Sequence, residues 1–231
     1  MKNFFTQTLL IIATILLTGS FLTASAQALA PNTAGVNLFC SDGELTLPAA
    51  TAGTDWIVKY SATATTTPST GITLSGGNKV ANADLKTGYY YLSSKSSTPG
   101  SCESEMQEIP VYVLKPLTPN IAPTDFCVES PLAQVGSVTN PEDPTKAALV
   151  YQWYTVAGGA ETIIAGANTL SYTPTAPTVG SITYRLKVGY EINGSKYCPQ
   201  IVDKTITVTA KPTKPTISIG TAQGTATAVT F

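Results

Sequence analysis

The chain has 231 residues, of which 43% are hydrophobic and only 12% are charged, and its formal net charge is −1. It contains no histidine, which excludes His-based catalytic triads and imidazole metal sites. Without a basic patch to neutralise phosphates, we expect no nucleic acid partner. Thr, Ser, Gly, Pro, Tyr and Val are abundant relative to helix-forming residues, which predicts an all-β protein.

The first 26 residues have the features of a secretory signal peptide. Lys2 gives a positive start, residues 4–22 are mostly apolar, and Ala-Ser-Ala at 24–26 fits the rule for cleavage before Gln27. The alternative is an uncleaved membrane anchor, but Thr, Ser and Gln residues dilute the apolar stretch and no basic cluster follows it. We therefore expect cleavage, export, and no membrane-spanning segment in the mature chain.

Residues 37–114 carry segments with strand-like alternation, separated by turn residues. Aromatic and β-branched residues favour strands, whereas the Gly, Ser, Asn and Pro residues between them favour turns. Short strands at this spacing are typical of a β-sandwich. The predicted strands of this first module are 44–47, 56–60, 71–74, 88–92 and 109–114.

Residues 124–210 repeat the same order of segments and predict a second β-sandwich. The last of these segments alternates Lys, Thr, Ile, Thr, Val and Thr without a break, which is typical of a half-buried strand. The predicted strands of this second module are 132–135, 151–154, 162–167, 183–188 and 204–209.

A proline motif marks the end of each module. The pattern Lys-Pro-x-x-Pro-x-Ile occurs at 115–121 and again at 211–217, an offset of 96 residues. Cys102 and Cys198 share that offset of 96, and Cys40 and Cys127, each preceded by Phe, are 87 apart. The repeat predicts tandem domains. Because proline restricts the backbone, we expect residues 115–123 to form a semi-rigid linker.

The order of these residues resembles that of bacterial immunoglobulin-like repeats in secreted and cell-surface proteins of Gram-negative bacteria. The resemblance implies tandem immunoglobulin-like β-sandwiches joined by Pro-containing linkers. The matching residues are Cys40, Leu45, Trp56, Gly88, Tyr90, Leu92, Cys102, Val111 and Val113, then Cys127, Val135, Trp153, Gly180, Tyr184, Leu186, Cys198, Ile206 and Val208. Residues 211–231 depart from the repeat and resemble a linker with the start of a truncated third, fibronectin type III-like β domain. The alternative is that this tail pairs with another sheet edge.

Four cysteines in an exported chain suggest disulfides, and four cysteines allow three pairings. Repeat symmetry favours bridges within the modules, Cys40–Cys102 and Cys127–Cys198. The main alternative, Cys102–Cys127, would connect the modules.

Two pairs of aromatic residues recur in the modules and are predicted core residues. Trp56 and Trp153 recur at equivalent places in the two modules, where an immunoglobulin-like sandwich buries a tryptophan. Tyr90 and Tyr184 are expected in the core or at a strand corner. A core role is favoured over a sugar-stacking platform for these four residues.

Strand alternation turns the neighbours of these core residues outward. Tyr89 and Tyr91 flank Tyr90, and Tyr154 follows Trp153. These three tyrosines are the candidates for contact with a glycan or protein ligand on a surface. The alternative, which we favour, is aromatic packing between strands on a sheet face.

The carboxylates form no recognisable catalytic pattern. Glu103, Glu105 and Glu108 surround Cys102 without a counterpart in the second module, so a glycosidase pair is not indicated. Loop carboxylates at 42–44 and 142–143 are candidates for Ca²⁺, but neither segment has a full ligand set. We therefore expect no catalysis and no cofactor, with calcium as the alternative.

Three functions fit these observations. The first is a non-catalytic, exported surface or adhesin-like protein, outside a Gram-negative cell, whose modules space, display or bind. The second is a set of accessory domains of a secreted polysaccharide-active enzyme with its catalytic domain beyond residue 231. The third is a structural subunit that assembles through its C-terminal strand.

Overall fold

The structure is a computed structural model that describes residues 28–216. The chain divides after Leu114 into two compact units, which we call the first and second modules. The predicted signal peptide and the segment 217–231 lie outside the described residues. Within residues 28–216 the regular structure is β, apart from one turn of 3-10 helix at Asn82–Asp84.

The first module is a sandwich of a five-stranded and a two-stranded sheet. The large sheet has the order β1-β7-β6-β3-β4, in which β1 is parallel to β7 and the other pairs are antiparallel, and the small sheet pairs β2 with β5. The strands are β1 (Asn37–Phe39), β2 (Leu45–Thr46), β3 (Thr54–Ser61), β4 (Thr70–Ile72), β5 (Lys79–Val80), β6 (Gly88–Ser96) and β7 (Gln107–Val113).

The second module repeats this arrangement with longer strands. Its large sheet has the order β12-β11-β14-β15-β9, with β9 parallel to β15, and its small sheet has the order β13-β10-β8. The strands are β8 (Thr118–Ala122), β9 (Phe126–Cys127), β10 (Gln134–Thr139), β11 (Ala148–Ala157), β12 (Ala160–Ile163), β13 (Ser171–Tyr172), β14 (Gly180–Ile192) and β15 (Ser195–Thr209).

Both modules therefore have the immunoglobulin-like topology. In each, a hairpin of the last two strands forms the centre of the large sheet, and a short parallel strand lies against its outer edge. The two sheets enclose a core formed by inward-facing residues of alternating strands. The predicted fold class, tandem immunoglobulin-like β-sandwiches, is confirmed, and every predicted strand has an observed counterpart.

The segment 115–123, expected as a linker, contains strand β8. Its residue Ile121 is buried and pairs with Gly136, and Pro119 pairs with Val138. Proline is compatible with β8 because β8 is an edge strand, where a missing N–H leaves no ladder bond unmade. The first proline motif thus lies within the second module, whereas residues 211–216 after β15 form no strand.

The two tryptophans do not occupy equivalent positions. Leu92 pairs with Val58 in the first module, whereas Leu186 pairs with Trp153 in the second, so Trp153 is the counterpart of Val58 and Trp56 lies two residues earlier. Trp153 is 0% exposed, while Trp56 is partly buried at the edge of its core. The expectation of equivalent places was wrong because a two-residue shift leaves a strand side chain on the same face.

The tyrosines predicted as core residues are both buried. Tyr90 is 0% exposed, and its hydroxyl donates to the carbonyl of Asp84 at 3.1 Å and accepts from the amide of Lys86 at 2.8 Å. This is the geometry of a tyrosine corner, in which the strand is tied to the turn before it. Tyr184 is 3% exposed, and burial raises its pKa to about 12.

The predicted disulfide pairing is wrong. Cys40 and Cys198 are disulfide-bonded, whereas Cys102 and Cys127 are free thiols, so neither intramodule bridge nor the Cys102–Cys127 alternative is present. Cys127 pairs with Thr209 at the end of β15, while Cys198 lies near its start, about 36 Å away at ~3.3 Å per residue. A bridge requires Cα atoms about 4.4–6.8 Å apart.

The same separation applies in the first module. Phe39, which precedes Cys40, pairs with Val113 at the end of β7, whereas Cys102 lies in the loop before β7 begins. The length of β7 therefore separates Cys40 from Cys102. Repeat symmetry preserves spacing along the chain, but it does not show which cysteines are neighbours in space.

Candidate binding face of the second module

One side of the large sheet in the second module remains open. Tyr184, Leu186 and Val188 of β14 are buried in the core, so the residues between them lie on the opposite side of the sheet. Cross-strand pairing places residues of β11, β12 and β15 beside them. We call this side the outer face, and define it by Tyr154, Glu161, Ile163, Arg185, Lys187, Ile201 and Asp203.

An ionic network crosses the centre of the outer face. Arg185 binds Asp203 with two hydrogen bonds of 2.7 Å, from Nε to Oδ1 and from Nη2 to Oδ2, and its Nη1 donates to Oε2 of Glu161 at 2.9 Å. Lys187 donates to the other oxygen of Glu161 and lies over the ring of Tyr154, 4.6 Å from its centroid. Bidentate bonding and the cation–π contact hold these side chains in one arrangement.

The network favours the charged forms of Glu161, Asp203 and Arg185. Hydrogen bonds from Lys187 and then Arg185 lower the pKa of Glu161, and a hydrogen bond from Arg185 lowers the pKa of Asp203. The bond to Asp203 likewise raises the pKa of Arg185. Carboxylates with lowered pKa values are ionised near pH 7 and are held in ion pairs with Arg185 and Lys187.

Exposed apolar side chains flank the network on both sides. Ile163 on β12 is 58% exposed and pairs with Tyr154, while Ile201 on β15 is 51% exposed and pairs with Lys187. Tyr154, one of the three tyrosines predicted to contact a ligand, lies between Ile163 and Arg185. The outer face thus combines apolar side chains with charges that compensate one another.

A cavity of about 170 Å³ adjoins the outer face where β14 and β15 form their hairpin. We call it the tyrosine pocket, and its lining includes Val150, Tyr151, Tyr154, Lys187, Lys196 and Tyr197. The pairing of β14 and β15 shifts between Val188 and Tyr190, and the extra residue lies on β15, opposite Gly189 of the pocket wall. A Cβ atom at Gly189 would be 3.0 Å from the carbonyl oxygen of Tyr197.

The corresponding side of the first module is covered. Tyr91 is 4% exposed, and its hydroxyl donates to Glu108 Oε2 and accepts from the amide of Thr65, both at 2.8 Å. Burial raises its pKa. The prediction that Tyr91 is exposed was wrong, because the segment after β3 returns over it. Tyr89 is partly buried between Ser61 and Pro110.

Glu142, a candidate in sequence for calcium, is a buried structural residue. It is 6% exposed, and its Oε1 accepts from the amide of Lys115 at 3.0 Å. The hydroxyl of Tyr190 donates to the carbonyl of Lys115 and accepts from the amide of Glu142, both at 3.1 Å. These contacts attach the start of the second module to its core.

Three of the other candidate carboxylates have protein partners. Glu44 pairs with Lys79 at 2.5 Å, Glu103 accepts from Ser93, and Asp143 accepts from the amide and hydroxyl of Thr145. Across residues 28–216, no group of three or more His, Cys, Asp or Glu residues is placed to hold a metal ion. Nor does that part of the chain form a helix long and apolar enough to cross a membrane.

Part of this site could be predicted from the sequence, and part of it could not. Arg185 and Lys187 alternate with buried residues of a predicted strand, so their common side could be inferred from strand period. Glu161 and Asp203 lie on other strands, and their approach to Arg185 depends on non-local pairing. Gly189 gave a weak signal, since glycine within a strand often marks a bulge.

Comparison with known proteins gives likeness in structure alone. No family model matches the chain, and no curated protein does. Among solved structures, fibronectin(III)-like modules of Clostridium thermocellum CbhA share 11% identity at a TM-score of 0.33, over 83% of this chain and 99% of theirs. Three N-terminal domains of the bacteriophage RB49 outer capsid protein Hoc share 17% sequence identity at a TM-score of 0.34, over 74% of this chain and 56% of theirs.

The N-terminal four immunoglobulin domains of Dscam1 isoform 7.44 share 12% identity at a TM-score of 0.30, over 78% of this chain and 45% of theirs. This chain therefore spans about half of the Hoc and Dscam1 fragments and nearly all of the CbhA modules. At these TM-scores the likenesses carry no argument about function, and the immunoglobulin-like fold is established by the strand order itself.

Proposed function

We propose that this chain is part of a non-catalytic, exported modular protein that acts outside the cell, and that its second module binds a partner through the outer face. The single observation that carries this proposal is the open, ordered network of Arg185, Glu161 and Asp203 between the exposed side chains of Ile163 and Ile201. Surfaces that combine exposed apolar residues with fixed polar groups are typical of recognition sites.

Export is supported by the signal-like N-terminal sequence and by the disulfide-bonded Cys40 and Cys198, since disulfides persist in oxidising compartments. Non-catalytic action is supported by the outer-face carboxylates, whose lowered pKa values suit ion pairing. We propose a glycan or protein displayed on a surface as the partner. Because the charges of the network compensate one another, shape and polarity would select that partner rather than net charge.

The proposal is tested with residues 27–231 of the chain on arrays of immobilised glycans and extracellular matrix proteins. Ile163→Asp combined with Ile201→Asp places two charges on the outer face, and we expect it to abolish binding. Val135→Asp is the matched control, because Val135 is 50% exposed on β10 of the other sheet. Retained binding in the double variant would refute the outer face, and a wild-type chain that binds nothing would leave a spacer role.

A further inference from the structure

We propose that the first module binds residues 211–217 of a second copy of this chain, as a strand added at the open edge of β2. This inference goes beyond the proposed function, because it concerns the first module and not the outer face. It is carried by a strand that only the second module has, by a groove at the corresponding place in the first, and by a repeat of that strand's sequence after β15.

The small sheets of the two modules differ by one strand. In the second module, β10 is paired on both sides, with β13 and with β8. In the first, β2 takes the place of β10 and pairs with β5, but within residues 28–216 no strand pairs with its other side. Residues 31–35, which correspond in chain position to β8, form hydrogen-bonded turns instead. The edge of β2 is therefore open where β8 would lie.

This open edge has backbone groups for another strand to bind. The amide of Leu47 donates to the carbonyl of Asn78 at 2.8 Å, on the side of β5. Because the N–H and C=O groups of successive strand residues point to opposite edges, those of Thr46 point to the open side. The carbonyl of Pro48 accepts from Nε1 of Trp56 at 2.9 Å, so we expect an added strand to bind at Thr46.

A cavity of about 500 Å³ lies between the two sheets along this edge. We call it the inter-sheet groove, and define it by Leu45, Leu47, Trp56, Leu92 and Ile109. The leucines are buried, whereas Trp56 and Ile109 are partly exposed. An aliphatic side chain on an added strand would cover the exposed parts of these two residues.

In the second module, β8 covers the corresponding part of the core. It contacts β14 and β15 of the large sheet, and its Ile121 is 1% exposed. The first module has the same large sheet and the same central hairpin without this cover. The second module therefore shows which kind of segment the groove accommodates: an edge strand that places an isoleucine between the sheets.

The chain contains a second segment of this kind. The motif Lys-Pro-x-x-Pro-x-Ile of residues 115–121 recurs at 211–217, of which residues 211–216 are exposed and form no strand. Its prolines are compatible with an edge strand, as they are in β8. The inward positions of the first motif and their matches in the second are Leu117 and Thr213, Pro119 and Pro215, and Ile121 and Ile217.

The contact between two copies would be heterologous, because the groove and the added segment are different surfaces. A heterologous contact leaves one groove and one segment free in every dimer. Repetition of the contact would therefore join copies head to tail into larger assemblies.

The groove is tested with a synthetic peptide of residues 211–219, added to residues 27–231 of the chain with Ile217→Asp so that the chain's own segment does not compete. We expect backbone amide shifts at Thr46, Leu47 and Ile109. A peptide with Ile217→Asp should bind at least about tenfold more weakly, since it loses one buried aliphatic side chain.

The matched control is a peptide with Thr216→Asp, which carries the same charge on the opposite side of the strand and should bind like the unchanged peptide. Absence of shifts in the first module would overturn the proposal. So would equal binding of the unchanged and Ile217→Asp peptides.

Assembly is tested by sedimentation of residues 27–231 over a range of concentrations. The unchanged chain and Thr216→Asp should form species larger than a dimer as the concentration rises, and Ile217→Asp should remain monomeric. A monomeric unchanged chain, or assembly that Ile217→Asp leaves intact, would overturn the proposal. Because the groove belongs to the first module and the outer face to the second, failure of either proposal leaves the other standing.

Discussion

The outer side of the large sheet is closed in the first module and open in the second, although the two modules share one strand order. In the first, Thr65 and Glu108 enclose the hydroxyl of Tyr91. In the second, the equivalent side presents Arg185 and Ile163 to solvent. Shared topology therefore specifies which residues face the core, but it leaves the chemistry of the other side to loops and individual side chains.

Strand length contributes to this difference. The last hairpin has strands of 9 and 7 residues in the first module and of 13 and 15 residues in the second. The longer hairpin carries the register shift opposite Gly189 and the adjoining pocket, and its residues Tyr190 and Ile192 are still buried. The second module thus has a longer hairpin beside its outer face, for which the first has no equivalent.

The largest expected difference between the modules concerns their tryptophans. Trp153→Ala should destabilise the second module by about 3–5 kcal/mol, because it leaves a cavity in a fully packed core. Trp56→Ala should cost the first module about half as much, since Trp56 is partly exposed. Urea unfolding followed by circular dichroism measures both, and equal losses would contradict the two-residue shift.

A smaller loss of stability is expected when a hydrogen bond on the covered side of the first module is removed. Tyr91→Phe removes the hydroxyl that joins Thr65 to Glu108 and should destabilise the first module by about 1 kcal/mol. Since each module contains one tryptophan, fluorescence of Trp56 in a Trp153→Phe background reports the first module separately. A change of stability near zero would show that the segment over Tyr91 is held by other contacts.

The ionic network should contribute still less to stability. Arg185→Met should leave the stability of the second module nearly unchanged at neutral pH, because exposed ion pairs are screened by water. Lys79→Met, which breaks the isolated pair with Glu44 in the first module, is the matched control and should cost no more. A loss for Arg185→Met as large as that for Trp153→Ala would indicate a structural rather than a recognition role.

The pH dependence of the second module follows from the same network. The pKa values of Glu161 and Asp203 are lowered in the folded state. Their ion pairs therefore contribute to folding stability above the ordinary carboxyl pKa values near 4, and this contribution is lost as the pH falls further. Thermal unfolding from pH 6 to pH 2 should therefore show a smaller acid-induced decrease in Arg185→Met than in the wild type. If the melting temperatures of Arg185→Met and the wild type fell in parallel with pH, the network would not be the source of the acid-induced loss.

Labelling of the free thiols should affect the fold least, but it tests the disulfide pairing directly. The native chain should contain two free thiols, of which exposed Cys102 reacts faster with a thiol reagent than half-buried Cys127. Reduction should then add about two hydrogens to the intact mass, as expected for one disulfide. A gain of four hydrogens would support the symmetric intramodule pairing.

Much of the fold could be predicted because its signals are local. Alternation placed Tyr90 and Tyr184 on buried sides of strands, and their neighbours on the opposite side. It could not show that Tyr91 is covered, because Thr65 lies 26 residues away in sequence. The proline motif was misread for a similar reason, since pairing with β10 converts the segment after Lys115 into an edge strand.

By itself, the sequence determined the all-β character, the repeat and the inward side of each strand, because side-chain direction in a strand depends on a period of two residues. The tertiary structure decided the offset between Trp56 and Trp153, the separation of Cys127 from Cys198, and the meeting of Arg185 with Glu161 and Asp203. These features depend on register between distant strands, and a shift of two residues leaves the local pattern unchanged while every cross-strand partner changes.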